Sequence, residues 1–196
     1  MYSKLPNLVI GFHGCSKEAF QKIIYDHQPM LPSIKDYDWL GHGIYFWEGN
    51  LDRAWQWARE RRADSPAVVA AIMDLGLCLN LVDSKCISEV QLAHQEMESQ
   101  FKIANQALPI NSNTKDSKDF IVRRLDCAVI QFLHNQRENN KQQGYDSVRG
   151  FFTEGNAIYE NSGFYYKSHI QICIRNPNCI KGVFVPRECN QNNIIP

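Results

Sequence analysis

Three short segments carry the residue types from which a site could be built: "GFHGCS" (Gly11 to Ser16), "LGHGIYFWEG" (Leu40 to Gly49) and "SHIQICIRN" (Ser168 to Asn176). Each reads as a strand with two unlike faces, because successive side chains of a strand point to opposite sides. Alternation sets His13 opposite Ile10 and Phe12, and Tyr45 and Trp47 opposite Ile44 and Phe46. It also sets His169, Gln171 and Cys173 opposite Ile170, Ile172 and Ile174. Each strand therefore offers an apolar side to a core and a polar or aromatic side that could open on a cleft. Apolar walls with a few placed polar groups are the makings of a small-molecule site.

The elements that must position these residues are legible around them. "NLVIGFHG" is a short β-rich run, and "SKEAFQKIIYDH" follows as a helix with Ser16 at its N-cap. "GIYFWE" is a second strand. "NLDRAWQWARERRA" is a helix capped by Asn50, with Asp52 in the first turn where an acid suits the helix dipole. "PAVVAAIMDLGLCLNLVD" supplies one or two core strands. "SEVQLAHQEMESQFKIANQAL" and "KDFIVRRLDCAVIQFLHNQRE" have the apolar spacing of helices and are joined by the polar "PINSNTKDS". Strands return in "YDSVRG", "SHIQICIRN" and "IKGVFVP". Strands at both ends of the chain around a helical block, at about residues 87–138, predict an α+β fold. A chain of 196 residues fits a single domain, 1–196.

Composition bounds the function. Lys+Arg and Asp+Glu are both 21, so net charge is zero, which argues against a long-range electrostatic grip on nucleic acid or anionic membrane. No apolar run is long enough to span a bilayer, and "MYSKLPNLVIGFHG" lacks the pattern of a signal peptide. The seven cysteines are scattered without a CxxC pair, and Cys173, Cys179 and Cys189 lack zinc-ligand spacing. The expectation is a cytoplasmic protein with reduced thiols and no metal.

At these residues the chain resembles the ADP-ribosyltransferase fold family, in its diphtheria-toxin-like and poly(ADP-ribose) polymerase-like branch. "FHGCS" is similar to that family's first motif and "LGHGIYF" to its second, glycine–basic–glycine–isoleucine–tyrosine–phenylalanine. "NLDRAWQWA" takes the place of the helix that follows. "YDSV" resembles the strand before the acceptor loop, and "QICIRNPNCI" fits the last motif in length and apolar pattern. The resemblance covers roughly residues 8–62 and 144–186 and leaves the helical block unmatched. It implies split antiparallel β-sheets with an inserted helical block, and NAD as the substrate. The reaction it implies is cleavage of the nicotinamide–ribose bond through an oxocarbenium-like centre, with ADP-ribose passed singly to a macromolecule. Carried over, His13 bonds a ribose, the Gly14 backbone grips the carboxamide, Tyr45 stacks on nicotinamide, and Cys15 and Gly43 flank the same pocket. Glycines beside the tyrosine let the backbone approach a flat ligand closely. For the second aromatic of the sandwich the helix offers Trp55 or Trp57, on different sides; Trp57 is preferred as the lid and plain packing competes with it.

The last motif departs from the family. Its usual glutamate falls on Gln171, which can bond a hydroxyl but carries no charge. His169 lies two positions earlier on the same face. Glu154, in "FFTEGN", is the nearest upstream carboxylate that could substitute, against the plainer reading of an exposed loop acid. His42 takes the family's basic position or faces solvent. The family's acceptor loop corresponds to "GFFTEGNAIYENSGFYYKS", whose aromatics could stack bases or anchor a protein surface. "RERR" (Arg59 to Arg62) could hold phosphate or simply be a solvated helix end. Protein and nucleic acid stay open as acceptors. A toxin or phage-defence role, with an inhibitory partner or antitoxin, follows by analogy alone. The alternatives are a catalytically weak NAD- or ADP-ribose-binding module and an NAD glycohydrolase.

Overall fold

A computed structural model describes residues 8–61, 64–113 and 121–187. The order is β1 (Leu8–Ser16), α1 (Lys17–Ile24), β2 (Ile44–Glu48), α2 (Leu51–Arg61), β3 (Pro66–Asp74), β4 (Cys78–Asn80), α3 (Ser84–Ile103), β5 (Asn111–Ser112), β6 (Val122–Arg123), α4 (Arg124–Asn139), β7 (Ser147–Phe152), β8 (His169–Ile174), a single 3-10 turn (Pro177–Cys179) and β9 (Ile180–Phe184). The fold is α+β. Seven strands form one sheet in the order β4-β7-β8-β2-β1-β3-β9; only the β4/β7 pair is parallel. β5 and β6 make a separate two-stranded ladder.

The expected split into separate sheets takes another form here. β1 and β2 still pair, but only through Gly11↔Glu48 and Phe12↔Trp47. Beyond Phe12 the two strands part, while β1 stays paired with β3 along its whole length. The sheet is continuous and opens along one seam, at the residues of the first two motifs.

Local chemistry explains the helix boundaries. The Ser16 hydroxyl accepts from Ala19 N at 3.2 Å and starts α1. Asn50 Oδ1 accepts from Arg53 N at 3.0 Å and starts α2. α3 begins at Ser84, earlier than the expected 87, because Asp83 Oδ1 accepts from Lys85 N (2.8 Å) and Cys86 N (3.3 Å). Such caps satisfy donors that no carbonyl of the helix can reach. The first residues of the stretch read as the second helix, 118–120, lie outside the described residues; α4 itself starts at Arg124.

Both sheet faces are buried over the centre. On one, Ile44, Phe46, Ile172 and Ile174 pack with Ala71, Met73 and Cys179. On the other, α3 and α4 cover Leu79, Val148, Phe152 and Cys173 toward the β4 end. There α2 covers Trp47 and Val68 toward the β3 side, with Ala54 in the contact. Between these two helical covers lies the strip of sheet that carries Gln171. No helix among the described residues is long and apolar enough to cross a membrane. The six described cysteines are all free thiols.

Candidate functional site

The GHG turn is stapled from two sides. From within, the Tyr45 hydroxyl accepts from Leu40 N (2.8 Å) and donates to Gly41 O (2.6 Å). From α4, Gln131 Oε1 accepts from His42 N (3.1 Å) and Nε2 donates to His42 Nδ1 (3.0 Å). Arg175 donates to the same Gln131 oxygen at 2.8 Å. Gly43 is required by close approach: a Cβ there would lie 2.5 Å from Cys173 Sγ and 2.6 Å from Ile174 O. Gly41 turns the chain at φ +77°, where a side chain is strained. His42 is thus a tethered residue, half-buried, and not a free solvent-facing base.

β2 presents its residues as alternation requires. Ile44 and Phe46 enter one core, and Tyr45 and Trp47 face the other side, where Tyr45 packs with Leu40 and Cys173. Tyr45 is half-buried, and burial raises the pKa of its phenol. The ring packs with the cluster under α3 and α4, and its hydroxyl is committed to the turn.

His13 corrects a simple expectation. Because Phe12 pairs with Trp47, His13 falls on the face of Ile44 and Phe46, not on that of Tyr45. Its ring lies 5.8 Å from that of Phe46, tilted by 58°. It meets Tyr45 through the main chain: Nδ1 lies 2.8 Å from the Tyr45 carbonyl and bridges the seam where β1 and β2 have parted. A carbonyl only accepts, so Nδ1 carries the proton and Nε2 is left as an acceptor. Burial lowers the pKa of this histidine and favours that neutral form.

Gly14, next along β1, is covered by α2. A Cβ on it would lie 2.7 Å from Ala54 O and 3.0 Å from Trp57 Cε3. Trp57 therefore lies over Gly14, with its ring 5.6 Å from that of Trp47. Trp55 also packs against this cluster and stacks under the Arg59 guanidinium at 5.3 Å. Cys15 does not line the cleft with its side chain: the thiol group is in the core with Ile23, Ala67 and Val69. Arg59 and Arg61 are exposed, and Arg62 lies outside the described residues.

The last motif brings together what the sequence left apart. Gln171 pairs with Trp47 on one side and Gly150 on the other, on the sheet face that carries Tyr45 and Trp47, and is half-buried. His169, two residues away, is buried against Phe152 and Trp39, at ring distances of 5.8 and 6.3 Å. Its Nδ1 donates to Lys167 O at 2.7 Å. Desolvation pushes its pKa down to about 4, with the Arg53 and Arg123 charges adding to the effect, so it is neutral at pH 7. Glu154 is no solvated loop acid. Its carboxylate lies 2.7 Å from Arg53 Nη2 and 3.6 Å from His169 Nδ1, with side-chain exposures of 14% for Glu154 and 11% for Arg53.

Three buried polar atoms on this side of the sheet have no hydrogen-bond partner among the described residues: Trp47 Nε1, His169 Nε2 and Arg53 Nε. Buried polar groups are almost always paired with protein, water or ligand. These three atoms are two donors and one acceptor on the side of the sheet that carries Gln171, each open to a bond from water or from a polar ligand.

Arg53, Gln131 and Trp39 were missed by sequence reasoning. Arg53 carried one usable signal, a charge at the position next to Ala54 on the packing face of α2. Gln131 and Trp39 carried none, because their partners lie 89 and 130 residues away in sequence.

The aromatic loop after β7 folds back on itself through Glu154 O with Lys167 N (3.1 Å) and Asn156 O with Tyr166 N (3.0 Å). Tyr159, Phe164 and Tyr166 are exposed along it, as is Phe151 on β7.

No protein-family model matches the chain, and no solved structure matches it. It is similar to an uncharacterized protein of the archaeon Methanocaldococcus jannaschii, 25% identical over 189 residues, covering 87% of this chain and 83% of the other.

Proposed function

We propose that the protein is a mono-ADP-ribosyltransferase of the ADP-ribosyltransferase fold that cleaves NAD at the nicotinamide–ribose bond. The observation that carries the reading is the group of unpartnered polar atoms (Trp47 Nε1, Arg53 Nε, His169 Nε2) around Gln171 and Glu154, beside a seam spanned by His13. The family resemblance of "FHGCS" and "LGHGIYF" supplies the identity of the ligand. Nicotinamide belongs at the seam, between Gly14 and Tyr45, with Trp57 as its cover. Trp57 rests on Gly14, so α2 or the indole has to yield for nicotinamide to lie between them. His13 Nε2 accepts from a ribose hydroxyl, and Gln171 bonds another. Glu154 supports the positive charge that develops on the ribose, the term that most favours a transition state over a ground state. Fixed groups do this without reorganising during the reaction.

The acceptor is a macromolecule, protein or nucleic acid, met by the aromatic loop. A toxin or phage-defence role rests on family analogy. A second reading, an NAD- or ADP-ribose-binding module of low turnover, is favoured by one observation: the carboxylate nearest the cleft is already ion-paired with Arg53. Labelled NAD separates the readings. Incubated with the pure protein and with cell lysate, transferase activity puts label on protease- or nuclease-sensitive material. Free ADP-ribose with nicotinamide indicates a glycohydrolase. Calorimetric binding of ADP-ribose with no nicotinamide release leaves the binding module.

A further inference from the structure

We propose that Arg53 is the positioning residue that makes Glu154 the carboxylate of the cleft, by holding it against β8 and keeping it ionised. The proposal rests on the transferase reading above and adds to it a residue that no motif marks.

Arg53 is the third residue of α2 and is 9% exposed. Its guanidinium is held by two anchors, Glu154 Oε2 at 2.7 Å from Nη2 and Gln56 Oε1 at 2.8 Å from Nη1, while Nε has no partner among the described residues. The second anchor extends the grip. Gln56 Nε2 donates to Glu60 Oε1 (3.1 Å), Glu60 meets Lys167 Nζ (3.2 Å), and Lys167 N donates back to Glu154 O (3.1 Å). One face of α2 therefore holds both ends of the aromatic loop, and Arg53 is the member of this ring that touches the carboxylate. A carboxylate so little exposed would be driven toward its neutral form by desolvation unless a cation stood beside it. Arg53 is that cation. Gln56 is neutral, and His169 cannot take the part, because its Nδ1 is turned to Lys167 O and its pKa lies at about 4. Arg123, over the Trp39 and Phe152 rings that contact His169, adds positive charge to the neighbourhood but pairs with Asp126.

The role differs from that of a salt bridge made only for stability. A buried pair of that kind can be replaced by apolar groups without loss of function. A positioning cation shows itself in the pH profile. Nicotinamide release is measured from pH 5 to 9 for the wild type, Arg53→Lys and Arg53→Met. The Glu154 carboxyl carbon is followed by NMR in each, assigned with Glu154→Gln. His169 stays neutral over this range and burial favours neutral His13, so a limb that moves together with the Glu154 carboxyl resonance reports Glu154. In Arg53→Met the limb and the carboxyl titration should both move up by about one pH unit or more, with kcat down about tenfold or more at pH 6, KM little changed and activity regained toward pH 9. Arg53→Lys, which keeps the charge and loses the fork, should fall between. A rate that drops equally at every pH, or an unmoved carboxyl titration, overturns the proposal. If Arg53→Met does not fold, Arg53→Lys carries the same comparison with a smaller shift. A wild type that releases no nicotinamide sinks the transferase reading alone; the carboxyl titration then decides the hold of Arg53 on Glu154 by itself.

Discussion

Tyr45 holds the GHG turn, and on the transferase reading its ring would also meet nicotinamide. Its ring packs against Leu40 and Cys173 while its hydroxyl bonds Leu40 N and Gly41 O. The two duties separate by substitution. Tyr45→Phe keeps the ring and leaves two main-chain groups without their partner, so it should lower stability by about 1–3 kcal/mol and retain nicotinamide release. Tyr45→Ala removes the stacking face as well and should abolish release while circular dichroism still shows a folded protein. Full activity in Tyr45→Ala would remove the residue from the site. The two candidate polar groups of the last motif make a second pair. Glu154→Gln should cost kcat on the order of 10²–10³-fold, the scale of a group aimed at transition-state charge, and Gln171→Ala far less. The reverse order, or a gain of rate in Gln171→Glu with Glu154→Gln silent, would return the chemistry to position 171.

At the scale of elements, the helical block is less separate than its lack of a family motif implies. α3 and α4 pack on the same sheet face that carries Tyr45 and Gln171. α4 also reaches into the site, where Gln131 holds His42 N and Arg175. Gln131→Leu would keep the helix and release the turn. We expect nicotinamide release to fall on the order of 10²-fold, since misplacement by an ångström is enough to cost that much. Substitutions on the exposed side of α3, such as Leu92→Ser, should spare release and change the efficiency of transfer to a macromolecule. Steady-state kinetics on both sets decides whether the block divides this way, helix by helix. Full nicotinamide release in Gln131→Leu would show that α4 does not serve the turn.

At the scale of the molecule, histidines whose pKa burial lowers make stability depend on pH, His134 and His169 foremost and His13 in the same direction. Burial pushes His134 down to about 3, aided by the Arg175 and Arg137 charges, and His169 down to about 4. In the unfolded chain both titrate near about 6.5. Below that pH the unfolded state binds protons that the folded state refuses, so stability must fall as pH drops from about 6.5 toward 4, and this contribution levels off below the folded values. Urea midpoints at pH 7.5 and 5 check the sign. His134→Leu removes an imidazole whose Nε2 is buried without a partner among the described residues, and it should flatten the pH dependence without lowering stability at pH 7.5.

The sequence by itself determined what depends on near neighbours. Period-two alternation in "GIYFWE" and "HIQICI" assigned each residue to a face, and the structure keeps those faces. Ser16 and Asn50 marked helix starts because a cap acts across three residues. The glycines of "GHG" marked a turn because Gly41 takes a positive φ and only the lack of a Cβ lets Gly43 approach Cys173. Tertiary structure decided what depends on register between distant strands. A one-residue choice, Phe12 opposite Trp47, moved His13 to the far face and left it to reach Tyr45 through a carbonyl. The conversion of Glu154 from a loop acid to a buried ion pair needed Arg53, 101 residues away, and the turn needed Gln131, 89 residues from His42. Such contacts leave no local pattern, because a salt bridge or an amide staple constrains the position of a residue in space and not its spacing along the chain.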